Sequence, residues 1–77
     1  MTALTLTTAK SYVLWQLRHD KGWTLRDATD KGVIALGYLS EIERGLKQPS
    51  DEILAELLRI FEVSPAEYLR KVADLVE

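Results

Sequence analysis

The chain has 77 residues and a formal net charge of −2; this is room for one domain, with a core small enough to need close packing or a partner copy. At 47% apolar and 29% charged residues it has the balance of a globular fold, and no apolar run approaches the ~20 residues of a membrane-crossing helix. It contains no cysteine, which excludes disulfides, a thiol nucleophile and a cysteine-ligated metal.

In chain order, residues 1–7 alternate threonine and leucine and are expected to form a flexible N-terminal arm, with Leu4 and Leu6 in phase for a strand-like alternative. They carry no basic stretch ahead of apolar residues, unlike a signal peptide, so cytoplasmic, nucleoid-associated residence is expected. Thr8 is a plausible N-cap for a first helix over 9–21, which Gly22 stops; Val13, Leu14 and Leu17 form its core stripe. Trp23 reads as a core anchor at the helix junction, and Trp15 lies beside the core stripe.

Thr24 and Asp27 have the spacing of a capping box opening a second helix. Asp30, Lys31 and Gly32 end it, glycine being able to take the left-handed conformation of a helix stop. A third helix is predicted from near Ala35 to Arg44, with Gly45 as its stop. Leu39 and Ile42, with Ile34 before them, give it one apolar face, and Leu36, Gly37, Ser40, Glu41 and Arg44 lie opposite. So short a helix is unstable alone and must be packed on others. Residues 24–44 therefore read as two helices joined by a tight turn, a helix-turn-helix whose second helix can enter the major groove of DNA.

After a loop ending at Pro49, Ser50 caps a fourth helix with Asp51 and Glu52 in its first turn, where the helix dipole favours negative charge. Ile53, Leu54, Leu57, Leu58 and Phe61 make its apolar face. Ser64-Pro65-Ala66-Glu67 reads as a capping box with proline at the first helical position. The fifth helix then runs through Tyr68, Leu69, Val72, Leu75 and Val76, so that residues 70–77 extend the end of an all-α domain over 8–77.

Charge divides along the chain. Residues 1–49 hold seven basic and five acidic side chains, a net +2, whereas residues 50–77 hold three and seven, a net −4. The field at the contact face governs phosphate binding, so an acidic C-terminal half does not forbid a mildly basic helix-turn-helix from meeting DNA. Catalysis is not expected. His19 is the single histidine, and no convergent acid–base partners, metal ligands or phosphate-cradling glycine loop are visible. No cofactor and no metal are expected.

Gly22-x-Thr24-Leu25-Arg26-Asp27, the run Gly37-Tyr38-Leu39-Ser40-Glu41-Ile42-Glu43-Arg44-Gly45 and then Pro49-Ser50 resemble the lambda-repressor-like (Cro/C1-type, XRE) helix-turn-helix regulators. The phrase from Leu36 to Gly45 is most similar to their Clp-gene-regulator branch. The resemblance covers roughly residues 10–70 and implies a compact five-helix DNA-binding domain, dimeric on double-stranded operator DNA. It maps base contacts to Leu36, Gly37, Ser40 and Glu41, and groove-wall or phosphate contacts to Thr24, Arg26, Tyr38, Arg44 and Lys47. Each base-facing type has a chemical option: leucine on a thymine methyl, serine on base or phosphate, glutamate accepting from cytosine N4. The resemblance also pairs Arg18 with Glu43. Val33 stands where the family usually has glycine, and Thr29 where it usually has alanine.

Tyr68, Val72, Leu75 and Val76 form an apolar stripe that a small monomer is not expected to bury, which suggests a homodimer interface, joined in one version by Leu4 and Leu6. The alternative to an operator-binding regulator is the same fold used as a protein-interaction module, antitoxin-like or regulator-binding, with a protein partner.

Overall fold

A computed structural model describes residues 4–76, which form α1 (Leu6–Asp20), α2 (Leu25–Thr29), α3 (Leu36–Glu43), α4 (Asp51–Ile60) and α5 (Pro65–Ala73). Residues 1–3 and 77 of the expected arm and final extension lie outside the described residues.

The chain starts its first helix earlier than expected. Thr5, not Thr8, is the N-cap: it is extended, and its hydroxyl accepts from the Thr8 amide at 3.2 Å. Leu6 and Thr7 are therefore helical, and the arm expected over 1–7 shortens accordingly. Leu4 pairs with Val76 in a single parallel bridge, its amide donating to the Leu75 carbonyl at 3.0 Å. At the other end α5 stops at Ala73, with Asp74 as C-cap, so residues 74–76 do not extend the helix. The bridge supplies the reason, since it takes Val76 out of helical geometry to satisfy Leu4.

Local chemistry accounts for the other ends. Gly22 has φ 72°, and its amide bonds the His19 carbonyl at 2.9 Å, so glycine closes α1 in the left-handed region. Both halves of the Thr24–Asp27 box form, at 3.0 and 2.9 Å. Ser50 accepts from the Ile53 amide and Ser64 from the Glu67 amide, at 3.2 and 3.1 Å. Gly32 differs from expectation. Only Gly22 and Gly45 among the described glycines have positive φ. Gly32 is needed for room: a Cβ there would lie 2.5 Å from Glu56 Oε2 and 2.7 Å from Ile60 Cδ1.

The core is one cluster drawn from every helix. Val13 and Leu14 of α1, Leu39 and Ile42 of α3, Leu57 of α4 and Phe61 just beyond it are all but fully buried. Tyr68 and Val72 belong to it, at 1% and 3% exposure, with the Tyr68 hydroxyl 3.5 Å from the Lys10 carbonyl. Both are corrected from the expected dimer stripe, because they seal α5 onto α1 within one chain and are not free to meet another copy. α5 runs antiparallel to α1, as the Leu4–Val76 and Lys10–Tyr68 contacts require. Trp23 is half-buried and stacked on Phe61, ring centres 6.1 Å apart.

Candidate nucleic-acid interface

α2 and α3 are short, and their mutual position is fixed from outside. Arg18 projects from α1 and donates through Nε and Nη2 to the two carboxylate oxygens of Glu43, each at 2.8 Å. Its remaining arm, Nη1, donates to the Trp23 carbonyl at 2.7 Å. One guanidinium thus ties the last turn of α3 to the residue before the α2 cap. The pair is nearly dry, with side chains 11% and 4% exposed, and the Glu43 hydrogen bond raises the Arg18 pKa further above its ordinary value against the opposing effect of burial. The structure brings together the two residues that the resemblance paired.

This brace leaves the outer face of α3 open. Leu39 and Ile42 face the core, whereas Gly37 is exposed and Leu36, Ser40 and Glu41 are half-exposed. Tyr38 is half-buried against the edge of the core cluster. Thr24 and Arg26 at the start of α2, Arg44 at the C-cap of α3 and Lys47 in the loop after it are all exposed. Of the other basic residues, Arg18 is paired with Glu43, Lys21 with Glu62 at 3.1 Å and Arg59 with Glu56 at 2.8 Å, and Lys31 lies over the Trp23 ring. Lys10, Arg70 and Lys71 form no ion pair among the described residues. Among the described residues, Arg26, Arg44 and Lys47 form no ion pair. The Thr24 hydroxyl oxygen accepts from the Asp27 amide, so this residue holds the start of α2 as its cap.

The start of α3 is also distinctive. Its N-cap is Ala35, which makes no side-chain cap bond, and no acidic residue occupies its first turn. The other helices begin at Thr5, Thr24, Ser50 and Ser64, each with its hydroxyl on a backbone amide. The leading amides of α3 therefore remain unsatisfied by the protein, on the end of the dipole that attracts anions.

Two features were not singled out from the sequence. Tyr12, Trp15 and His19 form an exposed row on α1, with ring centres 5.8 Å and 3.8 Å apart in turn; their three- and four-residue spacing was the available signal. The second is Leu69, which stands out to solvent at 57% exposure; Leu6, named from the sequence as a possible partner of the dimer stripe, is 56% exposed. Among the described residues no grouping of histidine and acidic side chains suits a metal ion, and no helix is long and apolar enough to cross a membrane.

A helix-turn-helix whose short second helix is braced from outside and presents an open outer face is the architecture of one class of proteins. The helix-turn-helix family pattern matches residues 16–68, and the chain belongs to that family. The transcriptional regulator ClgR of Mycobacterium tuberculosis is 51% identical over 45 residues, which are 58% of this chain and 40% of the regulator. The match thus spans less than half of that relative. The crystal structure of the clp gene regulator ClgR from C. glutamicum superposes with a TM-score of 0.86 at 36% identity, covering 97% of this chain and 96% of that one. The restriction-modification controller protein C.Esp1396I, solved as a tetramer on its natural 35 base-pair operator, gives 0.85 at 25% identity over 92% of this chain and 93% of that one.

Proposed function

We propose that the chain is a sequence-specific, DNA-binding transcriptional regulator of the cytoplasm, without catalytic activity, which binds its operator as a homodimer with α3 in the major groove. The observation that carries this is the uncommitted start and outer face of α3, whose leading amides have no side-chain cap and whose C-cap Arg44, like exposed Arg26 on α2 and Lys47 in the following loop, forms no ion pair. Structural relatives solved on operator DNA support the same use of the fold. Leu36, Gly37, Ser40 and Glu41 read base edges. Thr24, Arg26, Tyr38, Arg44 and Lys47 line the groove walls and hold phosphates, and the free amides of α3 add to that hold.

The dimer face shifts with the burial of Tyr68 and Val72. Leu69 and Leu6, exposed on the antiparallel pair α5 and α1, together with half-buried Leu75 and Val76, are the apolar surface left for a second copy. A twofold axis through that face sets two α3 helices about 34 Å apart on a near-palindromic site.

Selection from a random duplex pool, followed by titration at two salt concentrations, tests this. A two-half-site consensus should emerge, with affinity falling steeply as salt rises. A pool that never converges would overturn the reading, and a monomeric sedimentation mass on the selected duplex would overturn the dimer.

A further inference from the structure

The turn between α2 and α3 decides how the two helices of the motif meet, and one side chain from α4 lies on it. Glu56 Oε2 occupies the space beside Gly32 that any Cβ would need, and Ile60 Cδ1 sits next to it. The Glu56 carboxylate does not wander. Arg59, one turn on, grips it with Nε and Nη2 at 2.8 Å each, a two-pronged bond that fixes both oxygens. The Glu56 side chain is 23% exposed, against 64% for Arg59, so the carboxylate is pressed inward onto the turn while its cation stays in water. The hydrogen bond from Arg59 holds the Glu56 carboxyl below its ordinary range. The Val33 side chain stands in solvent at 90% exposure, so the contact that holds this turn is the one at Gly32.

We infer that Glu56 is a positioning residue for DNA recognition: held by Arg59, it clamps the Gly32–Val33 turn and thereby sets the angle at which α3 is offered to the major groove. The inference rests on the DNA-binding reading above. It accounts for the place of the glycine in this turn, since position 32 must lack a side chain for the carboxylate to close on it, whereas the side chain at position 33 stands clear in solvent. The contact is local to the turn, so its loss changes how α3 is offered without removing any residue of the buried core.

The experiment compares the full chain with Glu56→Ala and Glu56→Gln on the selected operator and on a scrambled duplex, with thermal melts and Val33 amide exchange measured alongside. Glu56→Ala should cut the ratio of operator to scrambled affinity by about tenfold, the scale on which residues that touch no ligand modulate a coupled site, and should speed Val33 exchange as the turn loosens. Glu56→Gln keeps a side chain of the same size over Gly32 and should restore most of the ratio. The inference is overturned if Glu56→Ala leaves the ratio within about twofold of the parent chain, or if both affinities fall by one common factor that tracks lost folded protein. A parent chain that prefers no duplex overturns the DNA-binding reading itself. That outcome is distinct from a failed clamp, in which the parent still discriminates.

Discussion

α3 and α4 are neighbours in sequence and are stabilised in opposite ways. α4 begins at Ser50, whose hydroxyl takes the Ile53 amide, has Asp51 and Glu52 in its first turn, and buries Leu57, Leu58 and Ile60. α3 begins at an alanine that caps nothing, has no acid in its first turn, and buries only Leu39 and Ile42. α4 has the local signals of a self-sufficient helix; α3 is held in place by side chains from other elements. Such a helix can leave its leading amides and outer face for a ligand, because its stability does not depend on them. Recognition and support are thus divided between elements.

Removing the brace should break this contrast most sharply. Glu43→Ala strands the Arg18 guanidinium in a nearly dry site and should cost about 3–5 kcal/mol, whereas Glu41→Ala, two residues away on the outer face, should stay within about 0.5 kcal/mol. Urea unfolding of the two variants checks this, and equal midpoints would refute the division. On the outer face the effect moves to DNA. Glu41→Gln should bind non-operator duplex more tightly and discriminate less at one base pair per half-site, by about 1–3 kcal/mol. Arg44→Ala should instead weaken binding to every sequence and lower the salt slope by roughly one. A salt series on operator and scrambled duplex separates the two.

A smaller change would make α3 resemble α4. Ala35→Ser supplies the missing cap and should stabilise the domain by about 0.5–1 kcal/mol. It should also weaken DNA binding, because the serine hydroxyl would occupy an amide left for phosphate. A gain in both melting temperature and affinity would show that those amides do not meet DNA.

Titration sets the two halves of the molecule against each other at the extremes of pH. The Asp27 carboxyl is held below its ordinary 3.8, first by the Thr24 amide and then by the Thr24 hydroxyl, and Glu56 is lowered mainly by Arg59. Their contribution is complete above the ordinary carboxylate values and is lost as pH falls through the lowered ones, so the helix-turn-helix and its turn should loosen in acid. Burial pushes the Tyr68 hydroxyl up to about 12 from an ordinary 10.0. The unfolded chain therefore ionises first, and α5 should lose its hold on α1 as pH climbs between those values. Amide exchange followed at both ends of the range should show acid opening first around residues 24–33 and alkaline opening first in α5. The same region opening first at both extremes would contradict the assignment.

What could be read from the sequence was mostly local. The Thr24–Asp27 box, the Ser50 and Ser64 caps and the Gly22 and Gly45 stops each depend on residues within a turn of one another, and all of them form. Arg18 and Glu43 are 25 residues apart; they were paired through the family resemblance, since no local rule joins them. Local rules failed where several residues could serve. Thr5, Thr7 and Thr8 are all competent caps, and the Leu4–Val76 bridge, unseen from either end, favours the first. Periodicity marked Tyr68 and Val72 as apolar-facing but could not say what covers them; α1 does, and Leu69 on the other side of the helix is the exposed residue. Gly32 was read for its backbone freedom and is required for its small size, which only the approach of Glu56 and Ile60 shows.

The Leu4–Val76 bridge also bears on topology. With the Leu4 amide 3.0 Å from the Leu75 carbonyl, residues 4 and 76 lie side by side, and the backbone traces a nearly closed ring. A ring can be opened elsewhere. Glu62, at the α4–α5 junction, is exposed and sits at φ 60°, a conformation that costs a non-glycine residue. A circular permutant opened after Glu62 and joined across 76 and 4 by a short glycine linker should fold to the same domain, with α5 as its first helix and the Arg18–Glu43 brace unaltered. The order in which the helices are strung together is then separable from the way they are packed, and the order could be changed without disturbing the face that α3 presents.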